Sequence, residues 1–213
     1  MVTISRRGFV VAGSALALAP RSAFAAMDYK EAPSLKALVD KGSLPPVKDR
    51  LPENPLVIKP TERIGRYGGD WNHALVGGGS LSMLFRYQAY EPLLRYTPDW
   101  SGVTPNVAES FEGDKEGKVY TIRLRKGLKW SDGQPYTTED VKFWYDVVLT
   151  DKRVAFVGQD HWKQDGKPAK LEIVDAQTFR VVFEKPNGFF PLNVAWVNND
   201  QTTRCPKHYL KQF

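Results

Sequence analysis

The sequence has one cysteine, Cys205, and three histidines among 213 residues. A single cysteine cannot form an internal disulfide bond, so a small fold held together by disulfides is excluded. We expect Cys205 to be a partly buried small hydrophobic residue. His73, His161 and His208 are scattered and lack the paired spacing of metal ligands, so we predict no metal site built by the protein.

Long apolar runs are also missing. The run from Phe9 to Ala19 is too short to span a bilayer, which takes about 20 apolar residues in a helix. It follows a twin-arginine pattern, Arg6-Arg7, and precedes a small-x-small cleavage pattern, Ala23–Ala25. We therefore predict that residues 1–25 are a twin-arginine (Tat) signal peptide, cleaved after Ala25, which engages the Tat translocon and directs the chain to the periplasm. The alternative is an uncleaved N-terminal helix.

The sequence has no concentrated basic stripe. Its net charge is +6, but the first 25 residues contribute Arg6, Arg7 and Arg21 and no acid, so cleavage lowers the charge to +3. The remaining charges of both signs are interspersed along the chain. A nucleic-acid interface would need clustered basic residues, so we expect no nucleic-acid partner.

Residues 26–64 are rich in proline and charge. Leu35, Leu38 and Val39 have the spacing of a short helix that ends at Gly42, and the prolines that follow favour extended chain. We interpret this stretch as a leader that lies along the surface of a domain. Disorder is the competing interpretation of the same composition.

The strongest pattern lies between Tyr120 and Leu149. Alternation in Tyr120–Leu124 predicts a strand with one polar face, and Asp132-Gly133 predicts a turn. Thr137 then stands three residues before Asp140, a capping-box spacing, and apolar residues follow at helical spacing through Val148. The segment predicts a strand, a turn and a capped amphipathic helix packed as one unit.

This run, YTIRLRKGLKWSDGQPYTTEDVKFWYD, resembles the signature segment of family 5 extracellular solute-binding proteins, the peptide-, nickel- and oligosaccharide-capturing components of bacterial ABC importers. The resemblance extends to YEPLLRY before the run and to a strand-turn-strand with Lys185-Pro186 after it. It implies an α/β fold of mixed helix and sheet, with a mixed sheet and flanking helices. Residues 65–213 would be the N-terminal lobe of a two-lobed periplasmic-binding-protein fold.

The alternating stretches around Ile173 and Phe179 predict a hairpin whose turn is Asp175–Thr178, and Pro206–Leu210 predicts the start of a helix. Members of the resembled family continue well beyond this length. We therefore expect the lobe to be truncated and incomplete, with unpaired sheet edges and exposed apolar surface.

The candidate binding residues lie in two places. Gly78, Gly79 and Ser80 follow a strand predicted for Trp71–Val76, and the resemblance places that loop near the mouth of the cleft, where backbone N–H groups could meet a ligand. Trp71 beside this loop, and Trp196 with Asn198, are candidates for ligand stacking and polar contact. Core or rim packing is the competing role for both tryptophans. The triple glycine lacks the spacing of a phosphate-binding or dinucleotide motif.

No catalytic group is evident. Glu139-Asp140 lies in the first turn of the predicted helix, where capping and dipole compensation explain the acids better than catalysis does. No serine lies in a nucleophile-elbow pattern. We therefore predict a chain that is not an enzyme and that uses no cofactor.

The resemblance implies the periplasmic substrate-binding component of an ABC transporter. Such a protein captures an oligopeptide or oligosaccharide and delivers it to a permease in the inner membrane, and we expect it to be a monomer. Two alternatives remain open at this point: a Tat-exported hydrolase whose catalytic part is missing, and a nonfunctional truncated remnant.

Overall fold

Strand alternation around Tyr120 produces the centre of a four-stranded sheet. The structure is a computed structural model that describes residues 29–88, 90–154 and 160–213. Its helices in chain order are α1 (Pro33–Asp40), α2 (Val47–Arg50), α3 (Leu81–Gln88), α4 (Thr138–Phe143), α5 (Phe190–Val194) and α6 (Lys207–Leu210). Its strands are β1 (Leu94–Tyr96), β2 (Val103–Pro105), β3 (Ala108–Gly113), β4 (Val119–Leu124), β5 (Lys163–Gln164), β6 (Lys167–Pro168), β7 (Lys170–Ile173) and β8 (Thr178–Val182).

The sheet has the strand order β3-β4-β8-β7, and each neighbouring pair is antiparallel. Tyr120 pairs with Val181 and Ile122 with Phe179, so the apolar residues of the two central strands share one face. All four side chains are buried. The mixed helix-and-sheet class predicted from the sequence is confirmed; within the described residues the ladders of this sheet run antiparallel, where a mixed sheet was predicted. Two small hairpins, β1–β2 and β5–β6, flank it.

A cluster of aromatic rings fills the buried side of the sheet. The ring centroids of Trp144 and Trp162 are 4.9 Å apart and those of Trp162 and Phe190 are 5.0 Å apart, both edge-to-face. Phe183 completes the cluster against Phe190. Edge-to-face packing aligns the positive ring edge with a negative ring face, and burying each large apolar side chain stabilises the fold by about 1.5–3 kcal/mol.

The capping box at the start of α4 forms as predicted. The Thr137 side chain accepts a hydrogen bond from the Glu139 N–H, and the Asp140 carboxylate accepts one from the Thr137 N–H. After Phe143 the helix widens into a π-helical turn, Trp144–Leu149, instead of continuing as a regular α-helix. The wider turn buries both Trp144 and Leu149, which are five residues apart, against the core.

The predicted turn between β7 and β8 is confirmed. The Asp175 carboxylate accepts hydrogen bonds of 2.7 Å from the N–H groups of Gln177 and Thr178. These contacts reproduce the hydrogen bonding expected of an aspartate at the start of a turn. Cys205 is buried, as the sequence indicated.

The strand predicted for Trp71–Val76 is wrong, because these residues form no strand and are exposed to solvent. An apolar stretch makes a strand only where a neighbouring strand supplies hydrogen bonds, and this stretch pairs with none in the described part of the chain. After it, the chain becomes α-helical only from Leu81, where α3 begins.

The chain divides into two units, residues 1–30 and residues 31–213. The predicted signal peptide, residues 1–25, lies outside the described residues. In the predicted leader, α1 ends at Asp40, two residues before Gly42, whose φ is 71°. Among the helices of the described residues, none has the length and apolar character needed to cross a membrane.

We expect Thr137→Ala to lower the free energy of unfolding by about 1 kcal/mol, because it removes the cap that satisfies an N–H at the start of α4. Urea denaturation followed by circular dichroism measures this difference. Thr104→Ala, at an exposed threonine of β2, is the matched control and should change stability by less than about 0.5 kcal/mol. Equal effects of the two substitutions would contradict the capping role.

Candidate functional site

Three aromatic side chains form a group at the surface, which we call the aromatic group: Tyr96, Trp100 and Trp196. The Tyr96 and Trp100 rings are stacked, with centroids 4.9 Å apart and planes 27° apart. Trp196 meets Tyr96 edge-on at 6.5 Å. Trp100 is 71% exposed and Trp196 is 42% exposed, so each presents ring surface to solvent.

The β1–β2 hairpin positions Trp100. Its turn is closed by the Trp100 N–H, which donates to the Thr97 carbonyl, and Trp100 has a left-handed φ of 58°. A bulky residue at positive φ costs free energy, on the order of 1–3 kcal/mol, so the surrounding turn must hold it there. Asp99 does so by accepting hydrogen bonds from the Ser101 N–H and hydroxyl. Hydrogen bonds from Thr97 and Ser101 hold the pKa of Asp99 at about 2, so the carboxylate beside Trp100 is ionised.

Helix α5 positions Trp196. The Tyr96 hydroxyl donates to the Leu192 carbonyl at 2.8 Å, which ties the helix to the hairpin. The Trp196 N–H donates to the Asn193 carbonyl, and the Asn199 side chain donates to that same carbonyl. The aromatic group is therefore held by hydrogen bonds from two separate elements.

A buried carboxylate anchors the segment that follows Trp196. Asp200 is 1% exposed and accepts a 2.8 Å hydrogen bond from Arg204 Nε. Burial raises the pKa of Asp200 above its ordinary value, although the guanidinium of Arg204 opposes the shift. Nearby, the Thr203 hydroxyl donates to the Glu91 carbonyl at 2.6 Å. Residues 200–204 are thus joined to the chain that enters β1.

The other predicted site residues lie in an exposed stretch. Trp71 is 67% exposed, and its ring centroid is 4.7 Å from that of His73. Gly78–Ser80 form a short 3-10 turn. The Ser80 N–H donates to the Gly77 carbonyl and the Ser80 hydroxyl donates to the Val76 carbonyl, so both donors of Ser80 already have partners.

In the part of the chain that the structure describes, no hydrogen bond or ring contact joins Trp71 or Gly78–Ser80 to Trp196 or the exposed Asn198. The structure brings Trp196 together instead with Tyr96 and Trp100, which the sequence analysis did not select. The signal for Trp100 was its place in the polar turn sequence Pro98-Asp99-Trp100-Ser101-Gly102, where a tryptophan has no helix or strand face to bury.

An open cavity of about 280 Å³ lies beside the β5–β6 hairpin. It is lined by Gln164, Lys167, Pro168, Ala169, Lys170, Val182, Phe183 and Glu184. None of the predicted binding residues and no member of the aromatic group is among these residues.

Glu139, Asp132 and His208 have structural partners. Glu139 is bound by Lys207, and Asp132 lies 2.6 Å from the His208 ring. Among the described residues, no group of three or more histidine, cysteine or acidic side chains could hold a metal ion. Burial raises the pKa of the Cys205 thiol to about 11, which leaves it protonated and a poor nucleophile.

Comparison with known proteins confirms the resemblance. Residues 102–204 match the bacterial extracellular solute-binding proteins, family 5 Middle. The chain is 28% identical over 166 residues to the periplasmic alpha-galactoside-binding protein of Rhizobium meliloti (strain 1021), a match that covers 69% of this chain and 24% of that protein. It is 36% identical over 95 residues to a probable ABC transporter-binding protein of Deinococcus radiodurans, covering 44% of this chain and 16% of that protein.

Two solved structures share the fold. The oligopeptide-binding protein OppA superimposes with a TM-score of 0.73 at 38% identity, over 87% of this chain and 28% of that chain. The periplasmic binding protein MelB from Agrobacterium fabrum C58, solved with stachyose, gives 0.63 at 28% identity, over 87% and 31%. The chain therefore has the fold of part of a two-lobed periplasmic binding protein, and it spans about a quarter or less of the curated relatives described above.

His161 should make stability depend on pH. Burial lowers its pKa to about 4, below the ordinary value of 6.5, so the unfolded chain takes up the proton first as the pH falls. The free energy of unfolding should therefore decrease as the pH drops from about 6.5 towards 4, by up to about 1.4 kcal/mol per pH unit. Urea denaturation between pH 5 and 7 measures this slope.

His161→Gln should flatten the slope, whereas His73→Gln, at an exposed histidine, should leave it in place. The carboxylates with lowered pKa values, such as Asp99 and Asp151, lose their stabilising contribution only at more acidic pH. An unchanged slope in His161→Gln would show that another group is responsible.

Proposed function

We propose that this chain serves as the substrate-binding part of an ABC transporter, because residues 102–204 match the bacterial extracellular solute-binding proteins, family 5 Middle. It captures an oligopeptide or oligosaccharide in the periplasm and hands it to an inner-membrane permease. It works by binding, not by catalysis, and as a monomer. The observation that carries this proposal is the likeness to OppA, at 38% identity over 87% of this chain.

The two solute classes come from the relatives. OppA is named for oligopeptides, MelB was solved with stachyose, and the Rhizobium relative is named for alpha-galactosides. The aromatic group suits either class, because the face of an exposed ring stacks on the apolar face of a sugar or on an apolar side chain. Trp196 and Asn198 remain predicted contacts, as do Trp71 and Gly78–Ser80, and Trp100 joins them.

Capture requires a cleft that closes. Two-lobed binding proteins close on their solutes by hinge bending. In this proposal residues 65–213 form the N-terminal lobe, and residues 26–64 form a leader that precedes it. The four-stranded sheet β3-β4-β8-β7 and the helices packed on it provide the rigid base on which such a cleft depends.

Solute binding is tested by thermal unfolding of the chain in the presence of stachyose or of a mixed oligopeptide library. A solute that binds only the folded state adds about 2.7 kcal/mol at 100 times its Kd, which raises the melting temperature. We expect one class to raise it, and Trp100→Ala and Trp196→Ala to reduce the shift. Phe213→Ala, at an exposed ring that the site does not include, is the control. The absence of a shift with either class would contradict capture by this chain.

Export is tested separately. Arg6→Lys together with Arg7→Lys should keep the protein in the cytoplasm with its signal peptide attached, because the twin-arginine pair is the address read by the Tat translocon. Cell fractionation and the mass of the periplasmic product measure this, with a mature N-terminus at Ala26 expected for the unaltered chain. Periplasmic recovery equal to that of the unaltered chain would rule out the Tat route.

A further inference from the structure

Arg125 is a buried arginine that joins two distant parts of the chain. It follows β4 and is 7% exposed. Its Nη1 donates to the Asn54 carbonyl and its Nε donates to the Asn106 carbonyl, both at 2.9 Å. The guanidinium fork presents its donors in a fixed plane, so the two carbonyls are held at a defined separation.

The first carbonyl belongs to residues 31–54, which we call the strap. The Glu53 N–H donates to the Lys126 carbonyl at 2.9 Å, and Lys129 Nζ donates to the Asp49 carbonyl. Gly127, beside Glu53, has a φ of +81°, a left-handed conformation that glycine adopts at little steric cost. Within the strap, an ion pair between Glu31 and Arg50 joins the chain just before α1 to the end of α2.

The strap has little apolar hold on the domain. Neither α1 nor α2 contains a buried residue. Ordering the backbone costs about 1–2 kcal/mol per residue, and here polar contacts rather than buried apolar area oppose that cost. A segment with few buried contacts is expected to open locally at a lower free energy than the sheet does.

The second carbonyl belongs to the base of the hairpin that carries Trp100. The Asn106 side chain donates to Glu91 Oε2 at 2.8 Å and to the Pro92 carbonyl at 2.9 Å. Its N–H, like that of Ala108, donates to the Leu93 carbonyl. Arg125 therefore touches both the strap and the residues from which β1 and β2 emerge.

We propose that residues 31–54 are a releasable strap, fastened to the domain by Arg125, and that the docked strap orders the base of the hairpin bearing Trp100. The consequence for solute capture rests on the function proposed above. Docking and release themselves do not depend on it.

Hydrogen exchange of the whole chain, followed by mass spectrometry, tests the strap. In Arg125→Met the Asn54 and Asn106 carbonyls lose their donor, so peptides covering the strap, including the Glu53 amide, should exchange roughly tenfold faster. Arg180→Met is the matched control, because Arg180 is an exposed arginine of β8 whose strand partners, Thr121 and Glu172, are not strap residues. Its strap should exchange at the rate of the unaltered chain.

Equal amide exchange rates of the strap in the two variants would overturn the fastening role of Arg125. The same conclusion would follow if the strap and sheet amides exchanged at one common rate. If Arg125→Met does not fold, Arg125→Lys decides, because it keeps the charge but loses the fork. It should accelerate exchange in the strap while the Ile122 amide stays protected, and an unaccelerated strap would refute the proposal.

The second half of the proposal has its own reporters, the amides of Asn106 and Ala108. These two amides should exchange faster whenever the strap amides do. Unchanged rates at Asn106 and Ala108 in a variant whose strap exchanges faster would show that the strap does not order the base of the hairpin. No solute enters this measurement. A failed binding experiment therefore leaves the strap test valid, and a failed strap test leaves the proposed function standing.

Discussion

The packing of this chain depends on the hydrogen bonds at the start of α4. The Asp140 carboxylate is buried and accepts from the Thr137 N–H with one oxygen and from the Lys207 N–H with the other. Thr138 donates its hydroxyl to the Asp175 carbonyl and its N–H to the Ala176 carbonyl. One helix terminus thus fixes the β7–β8 turn on one side and α6 on the other. Burying the Asp140 carboxylate without these donors would lower the free energy of unfolding by several kcal/mol. The helix terminus therefore packs only when its hydrogen bonds form.

Tryptophan has two roles on this scaffold. Trp144 and Trp162 are fully buried and fill the space behind the sheet, whereas Trp100 and Trp196 lie at the surface around Tyr96. The residue type is the same and the difference is the backbone that carries it. Trp144 lies in the π-helical turn packed against the core, whereas Trp100 is held at positive φ in an exposed polar turn. This division leaves buried rings behind the sheet and exposed rings at the surface.

The sequence predicted the parts of the fold that arise from local rules. The capping box at Thr137, the Asp175 turn and the alternation of β4 each involve residues close together in the chain, and each is present. The strand predicted at Trp71–Val76 failed because a strand also requires a partner, and pairing is not a local property. The π-helical turn at Trp144–Leu149 was missed for a similar reason, since core packing and not helical periodicity favours the wider turn.

The family resemblance and the order of strand, turn and helix followed from the sequence alone, because they are written in consecutive residues. The grouping of Tyr96 with Trp100 and Trp196 was decided only by the tertiary structure. Tyr96 and Trp196 lie a hundred residues apart, and the hydrogen bond from the Tyr96 hydroxyl to Leu192 brings their elements together. The joining of Asn54 and Asn106 by Arg125 is of the same kind. Contacts between distant segments depend on how whole elements pack, and no spacing within one segment encodes them.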